Sequence, residues 1–124
     1  MLHGPRNDET IGAIERSADD VLNPLVGTTL RSALEVPRPV DGVRLVGEGL
    51  AFSAMKESEG GGWLVLRCVN LLERDVEGKW HLPFDLAEAH LARLDETLIG
   101  DAEVDGRCVR IHAGPRAIVT VLVR

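Results

Sequence analysis

Aromatic side chains are nearly missing from this sequence. Tyrosine is absent, and Phe52, Trp63, Trp80 and Phe84 make up the whole complement, 3% of 124 residues. Surfaces for stacking nucleobases or rows of sugar rings are correspondingly scarce. Basic clusters are missing too: 14 Lys and Arg stand against 20 Asp and Glu, a formal net charge of −6. Nucleic acids and anionic membrane surfaces both reward clustered Lys and Arg, so neither is an expected partner. No apolar stretch approaches the ~18 residues that a membrane-spanning helix requires. The opening Met-Leu-His-Gly-Pro-Arg lacks the basic head and apolar segment of a signal peptide. Cysteine occurs only at Cys68 and Cys108, each inside an apolar run. Both read as free buried thiols of a cytoplasmic protein rather than as a disulfide.

The usual signatures of chemistry are absent as well. His3, His81, His90 and His112 form none of the short-spaced pairs that ligate metals. Ser53 and Ser58 stand in no Gly-x-Ser-x-Gly elbow. Gly60-Gly61-Gly62 is followed by Trp63 rather than by the Lys-Ser/Thr of a phosphate loop. Close acidic pairs such as Glu57 with Glu59, or Asp95 with Glu96, are expected by chance among so many carboxylates and read as solvated surface charge. No catalytic, metal or cofactor site is assigned.

What the chain does contain is a strand pattern. Hydrophobic residues make up 44% and charged residues 27%, the balance of one globular domain. Residues 49–70 organise it: two apolar runs, 50–55 and 63–69, flank a polar glycine-rich connection. That arrangement predicts an antiparallel hairpin at the centre of a β domain. Trp63, Val65, Arg67 and Val69 alternate with Leu64, Leu66, Cys68 and Asn70, so both faces are apolar and a central, doubly covered strand is expected. Val76, Gly78, Trp80 and Leu82 alternate with Glu77, Lys79 and His81, the pattern of a half-buried strand. Residues 43–46 form a short strand after the Asp41-Gly42 turn signal. Asp105-Gly106 marks a hairpin before the strand at 108–112, and residues 117–123 are the most β-prone of all.

Ahead of the strands, Ile11, Ile14, Ala18, Val21 and Leu22 share one helical face, with Asp8 or Thr10 as the cap and Pro24 as the stop. Residues 28–34 fit a strand or a helical turn, and Pro37 and Pro39 enforce an extended linker. Residues 86–94 are strong helix formers, yet their alternation also fits a strand. The expected fold is an all-β antiparallel sandwich over residues 41–124. A short N-terminal helix and linker over residues 1–40 are expected to pack on it. Trp63 and Trp80 lie on apolar strand faces, which suits core packing, while a pair of indoles also suits a sugar-binding platform.

Several of these stretches carry a resemblance. Leu50-Ala-Phe-Ser-Ala-Met-Lys-Glu, then Trp63-Leu-Val-Leu-Arg-Cys-Val-Asn, resemble the C-terminal region of family 38 glycoside hydrolases, the α-mannosidases. Val76-Glu-Gly-Lys-Trp, the 87–98 stretch and the closing Gly114-Pro-Arg-Ala-Ile-Val-Thr-Val-Leu-Val-Arg are similar as well, and the likeness extends back to Pro24. The resemblance implies a strand at 86–94 and the C-terminal β-sandwich of such an enzyme. Zinc and the nucleophilic Asp belong to a separate catalytic domain in that family, so no catalytic or metal residue is carried over. The implied partners are the catalytic and middle domains, self-association through the surface they cover, or a glycan. Arg67 and Asn70, in the best-matching strand, are the residues expected at a cleft border, with Trp63 and Trp80 as possible glycan contacts.

Overall fold

The computed structural model describes residues 7–22 and 42–124. The expectations for residues 28–34 and for the Pro37 and Pro39 linker lie outside the described residues. Among the described residues one helix, α1 (Asp8–Leu22), precedes nine strands: β1 (Arg44–Val46), β2 (Leu50–Glu57), β3 (Leu64–Asn70), β4 (Val76–His81), β5 (Ala89–Ala92), β6 (Leu98–Asp101), β7 (Glu103–Asp105), β8 (Cys108–Ala113) and β9 (Ile118–Val123). They form two antiparallel sheets, ordered β1-β4-β8-β7 and β2-β3-β9-β5-β6. This is the expected all-β sandwich.

The core follows from strand alternation. Leu66, Cys68, Val121, Val123 and Ala89 point inward from the five-stranded sheet and meet Trp80, Leu82, Val109 and Ile111. Each aliphatic side chain buried in this way contributes about 1.5–3 kcal/mol of hydrophobic stabilisation. The outer face of β3 is covered as well, as the two-sided apolar pattern predicts. Val65 packs with Ala92 and Leu122 under Trp63. Leu86–Leu94 propensity loses to tertiary context: β5 is a strand, shortened to Ala89–Ala92, because its backbone is claimed by β9 and β6 on either side.

The connections between sheets explain the shape. At one side β1 and β2 are joined by Gly47, Glu48 and Gly49; at the other, β6 and β7 are separated by Ala102 alone. Each sheet therefore ends, at both sides, in a strand that turns the corner into the other sheet. The β2–β3 hairpin closes through a loop whose Gly61 and Gly62 have φ of 74° and 78°, values that a side chain disfavours. Ser58 N–H donates to the Trp63 carbonyl at 2.9 Å across its neck.

Local details depart from expectation in three places. The α1 cap is Asn7, whose Oδ1 accepts from Thr10 N–H at 2.8 Å, one residue ahead of Asp8. The late hairpin pairs Asp105 with Cys108, so its loop is Gly106-Arg107 rather than Asp105-Gly106. Only Gly106 has positive φ there, as in a type II′ turn. Cys108 is half-buried rather than buried, because its strand face looks away from the core. On α1, Ile14 and Val21 are exposed and Ile11 is half-buried.

Gly78 holds the β1–β2 corner together by having no side chain. A Cβ there runs into the Leu50 side chain and lies 2.7 Å from the Val46 carbonyl oxygen, which is fixed by the strand. Gly100, also in a strand, faces open space. Gly78→Ala is expected to lower unfolding stability by about 2–3 kcal/mol through overpacking. Gly100→Ala is expected to be neutral or to add up to about 1 kcal/mol by restricting the unfolded chain. Urea titrations of the two variants check the opposite signs.

Candidate functional site

The four residues singled out from sequence fall into two separate settings. Trp63 and Arg67 share the outer face of the five-stranded sheet with Val65 between them. Asn70 and Trp80 lie inside, and neither presents surface to solvent.

Asn70 is 0% exposed and fully engaged. Its Nδ2 donates to the carbonyls of Arg74, Ala113 and Gly114 at 2.7, 3.1 and 2.8 Å, and its Oδ1 accepts from Leu72 N–H at 2.9 Å. The amide thus joins the end of β3 to the β3–β4 turn and to the β8–β9 turn. Arg116 reinforces the same junction, donating to the Leu71 carbonyl and pairing with Glu73 at 3.0 Å. Trp80 packs in the core with its ring edge-on to Phe52, centroids 6.2 Å apart. Its Nε1 has no hydrogen-bond partner among the described residues.

Arg67 is committed to its own sheet. Nε donates to Thr120 Oγ1 at 3.1 Å, and Nη2 donates to the Leu94 carbonyl at 2.9 Å. It latches the β5–β6 connection over the outer face. Lys56 and the Glu59 N–H hold Glu96 of that connection, and the Lys56 hydrogen bond is the main reason its carboxyl titrates below the usual range.

Trp63, like Arg67, is half-buried. Its ring carries the Arg124 guanidinium 4.4 Å from the centroid, a cation–π contact, and meets His90 edge-on at 5.3 Å. Arg124 pairs with Glu88 at 2.8 Å and, chiefly through that hydrogen bond, depresses the Glu88 pKa. His90 Nδ1 lies 2.9 Å from Asp101 Oδ1. A shallow cleft of about 320 Å³ runs past Glu57, Trp63, Phe84 and Arg124. Sequence reasoning missed this cluster because β3, β5 and β9 meet only through the sheet order. Arg124 and Glu88 carry no local motif. The cleft offers an aromatic edge, the Arg124 cation and the Glu57 carboxylate at its rim.

Among the described residues no group of three or more His, Cys, Asp and Glu side chains could hold a metal ion. No described helix is long and apolar enough to cross a membrane. Fold and site together define a β-sandwich domain with a polar junction at one end and a small aromatic cleft on one face. Residues 49–121 match the Glycosyl hydrolases family 38 C-terminal beta sandwich domain, and the chain belongs to that family. No curated protein matches the chain.

Losing the Asn70 amide leaves three buried or half-buried carbonyls and one buried N–H without their partner. Asn70→Ala is expected to cost about 3 kcal/mol or more. Asn70→Asp is expected to cost at least as much, since a carboxylate opposes three carbonyl oxygens with acceptors alone. Thermal and urea unfolding of both variants tests this.

Proposed function

We propose that the domain is a non-catalytic accessory part of an α-mannosidase-like glycoside hydrolase, seated against that enzyme's other domains in the cytoplasm. The observation that carries this reading is the family 38 match over residues 49–121, within a fold whose polar groups serve structure. Uncovered apolar side chains support it. Phe52 and Met55 project from β2 on the core-facing side yet are 55% and 50% exposed, because eight-residue β2 outruns three-residue β1. Leu98 and Ile99 on β6 are also exposed. Such surface fits an interface with neighbouring domains, or between copies of the chain when those domains are missing. Zinc and the nucleophile of such an enzyme belong in this reading to the catalytic domain.

The purified chain is expected to leave an aryl α-mannoside unhydrolysed. Steady turnover that survives repurification and EDTA overturns the non-catalytic reading. Phe52→Ser with Met55→Ser is expected to reduce self-association in sedimentation, with about 1–2 kcal/mol lost from unfolding stability as Phe52 leaves its edge-on contact with Trp80.

The half-exposed Trp63 in its cleft with Phe84 favours a second reading, a carbohydrate-binding module. Buried Trp80 offers such a module nothing. Manno-oligosaccharide titration is then expected to shift tryptophan emission in the native chain and leave Trp63→Phe unshifted. An unchanged spectrum in the native chain removes this reading.

A further inference from the structure

The outer face of the four-stranded sheet carries a row of side chains fixed by strand register: Arg44, His81, Cys108 and Asp105 stand opposite one another across β1, β4, β8 and β7. Within the row, Cys108 Sγ lies 3.1 Å from His81 Nδ1. In the tautomer that leaves Nδ1 unprotonated, the thiol S–H donates a hydrogen bond to it. A cleft of about 680 Å³ adjoins the pair and is lined by His81, Arg44 and Arg107. Arg107 is balanced by Asp85 at 2.8 Å, whereas Arg44 makes no ion pair among the described residues. Arg110 and Lys79 occupy the same sheet face, Arg110 paired with Glu103 and Asp105 at 3.3 and 3.5 Å. Cys68 has the opposite setting: it is wholly inside the core, and burial pushes its thiol up to about 11.

We propose that Cys108 is a modification site that exchanges with carboxylate-bearing low-molecular-weight disulfides, with His81 taking the thiol proton and Arg44 favouring the anionic reagent. In the step, the Cys108 proton passes to His81 Nδ1 and Sγ attacks one sulfur of the incoming disulfide. The incoming S–S bond breaks and a mixed disulfide on Cys108 forms. The departing thiolate leaves with the electron pair and can take the proton back from His81. One disulfide is consumed and one is made, so no external oxidant is required. The partly exposed thiol, the imidazole and the cationic cleft are all supplied by strand register. The inference concerns a face of the sandwich separate from the Trp63 cleft.

Dithiobis(nitrobenzoate), which is anionic, and the neutral dipyridyl disulfide are the probes. The native chain is expected to react rapidly at one thiol, and Cys108→Ser to leave only the slow reaction of Cys68. His81→Gln is expected to slow the rapid phase about tenfold near neutral pH, and to make its rate follow hydroxide across the range where imidazole titrates. Arg44→Ala is expected to slow the anionic probe about threefold and spare the neutral one. His81→Asn serves if His81→Gln loses its cooperative unfolding transition. A rapid phase that survives Cys108→Ser, or a pH profile unchanged by replacing His81, overturns the assignment. Equal effects of Arg44→Ala on both probes overturn the preference for anions.

Discussion

The sandwich depends on one side-chain amide. Asn70 ends a central strand of the five-stranded sheet, and its Nδ2 reaches carbonyls at the end of β8, in the other sheet, and in two turns. Burying those carbonyls away from water costs stability unless each finds a donor. A single amide supplies it where no backbone ladder can, because the strands there belong to different sheets. The Leu72 N–H returned to Oδ1 bends the chain out of β3, which aims Leu72 into a fully buried position. A hydrophobic replacement of the same size fills the space and leaves the carbonyls stranded. Packing and polar satisfaction therefore meet in this one residue.

Around that junction the two sheets divide their labour. The four-stranded sheet covers the core on one side and exposes a charged face on the other. The five-stranded sheet is covered twice, by its partner sheet inside and by Trp63 and the β5–β6 connection outside. Arg67 and the Lys56–Glu96 pair fasten that connection from above. Burial on both faces removes the strands of that sheet from the low-stability end of the molecule, where few apolar contacts hold a segment.

Strand pattern was readable because period-two alternation records burial directly. The β2–β3 hairpin, the inward Val109 and Ile111, and the double covering of β3 follow from it. Residues 86–94 show its limit: Ala, Leu and Glu favour helix locally, and only the hydrogen bonds offered by β9 and β6 decide for a strand. The polar residues were harder. Arg67 and Asn70 stood out in sequence as polar side chains in an apolar strand, and the structure shows what engages them: carbonyls and a hydroxyl up to 53 residues away. The same holds for Arg124 over Trp63 and for His81 beside Cys108, pairs created by strand order alone. The Asn7 cap lies one position before Asp8 and three before Thr10, the two residues expected from sequence.

The position of β9 bears on how the molecule comes to exist. It follows every other strand in the chain, yet it sits in the middle of the five-stranded sheet, bonded to β3 on one side and β5 on the other. During synthesis from the N-terminus, the β2–β3 and β5–β6 pairs emerge first, each with an inner edge that has no mate. Neither can join the other until the last strand slides between them. Folding is therefore committed late and through contacts distant in sequence, the regime of slow assembly. Until then two unpaired edges lie open to other chains, so the nascent domain is most exposed to aggregation just before it is complete.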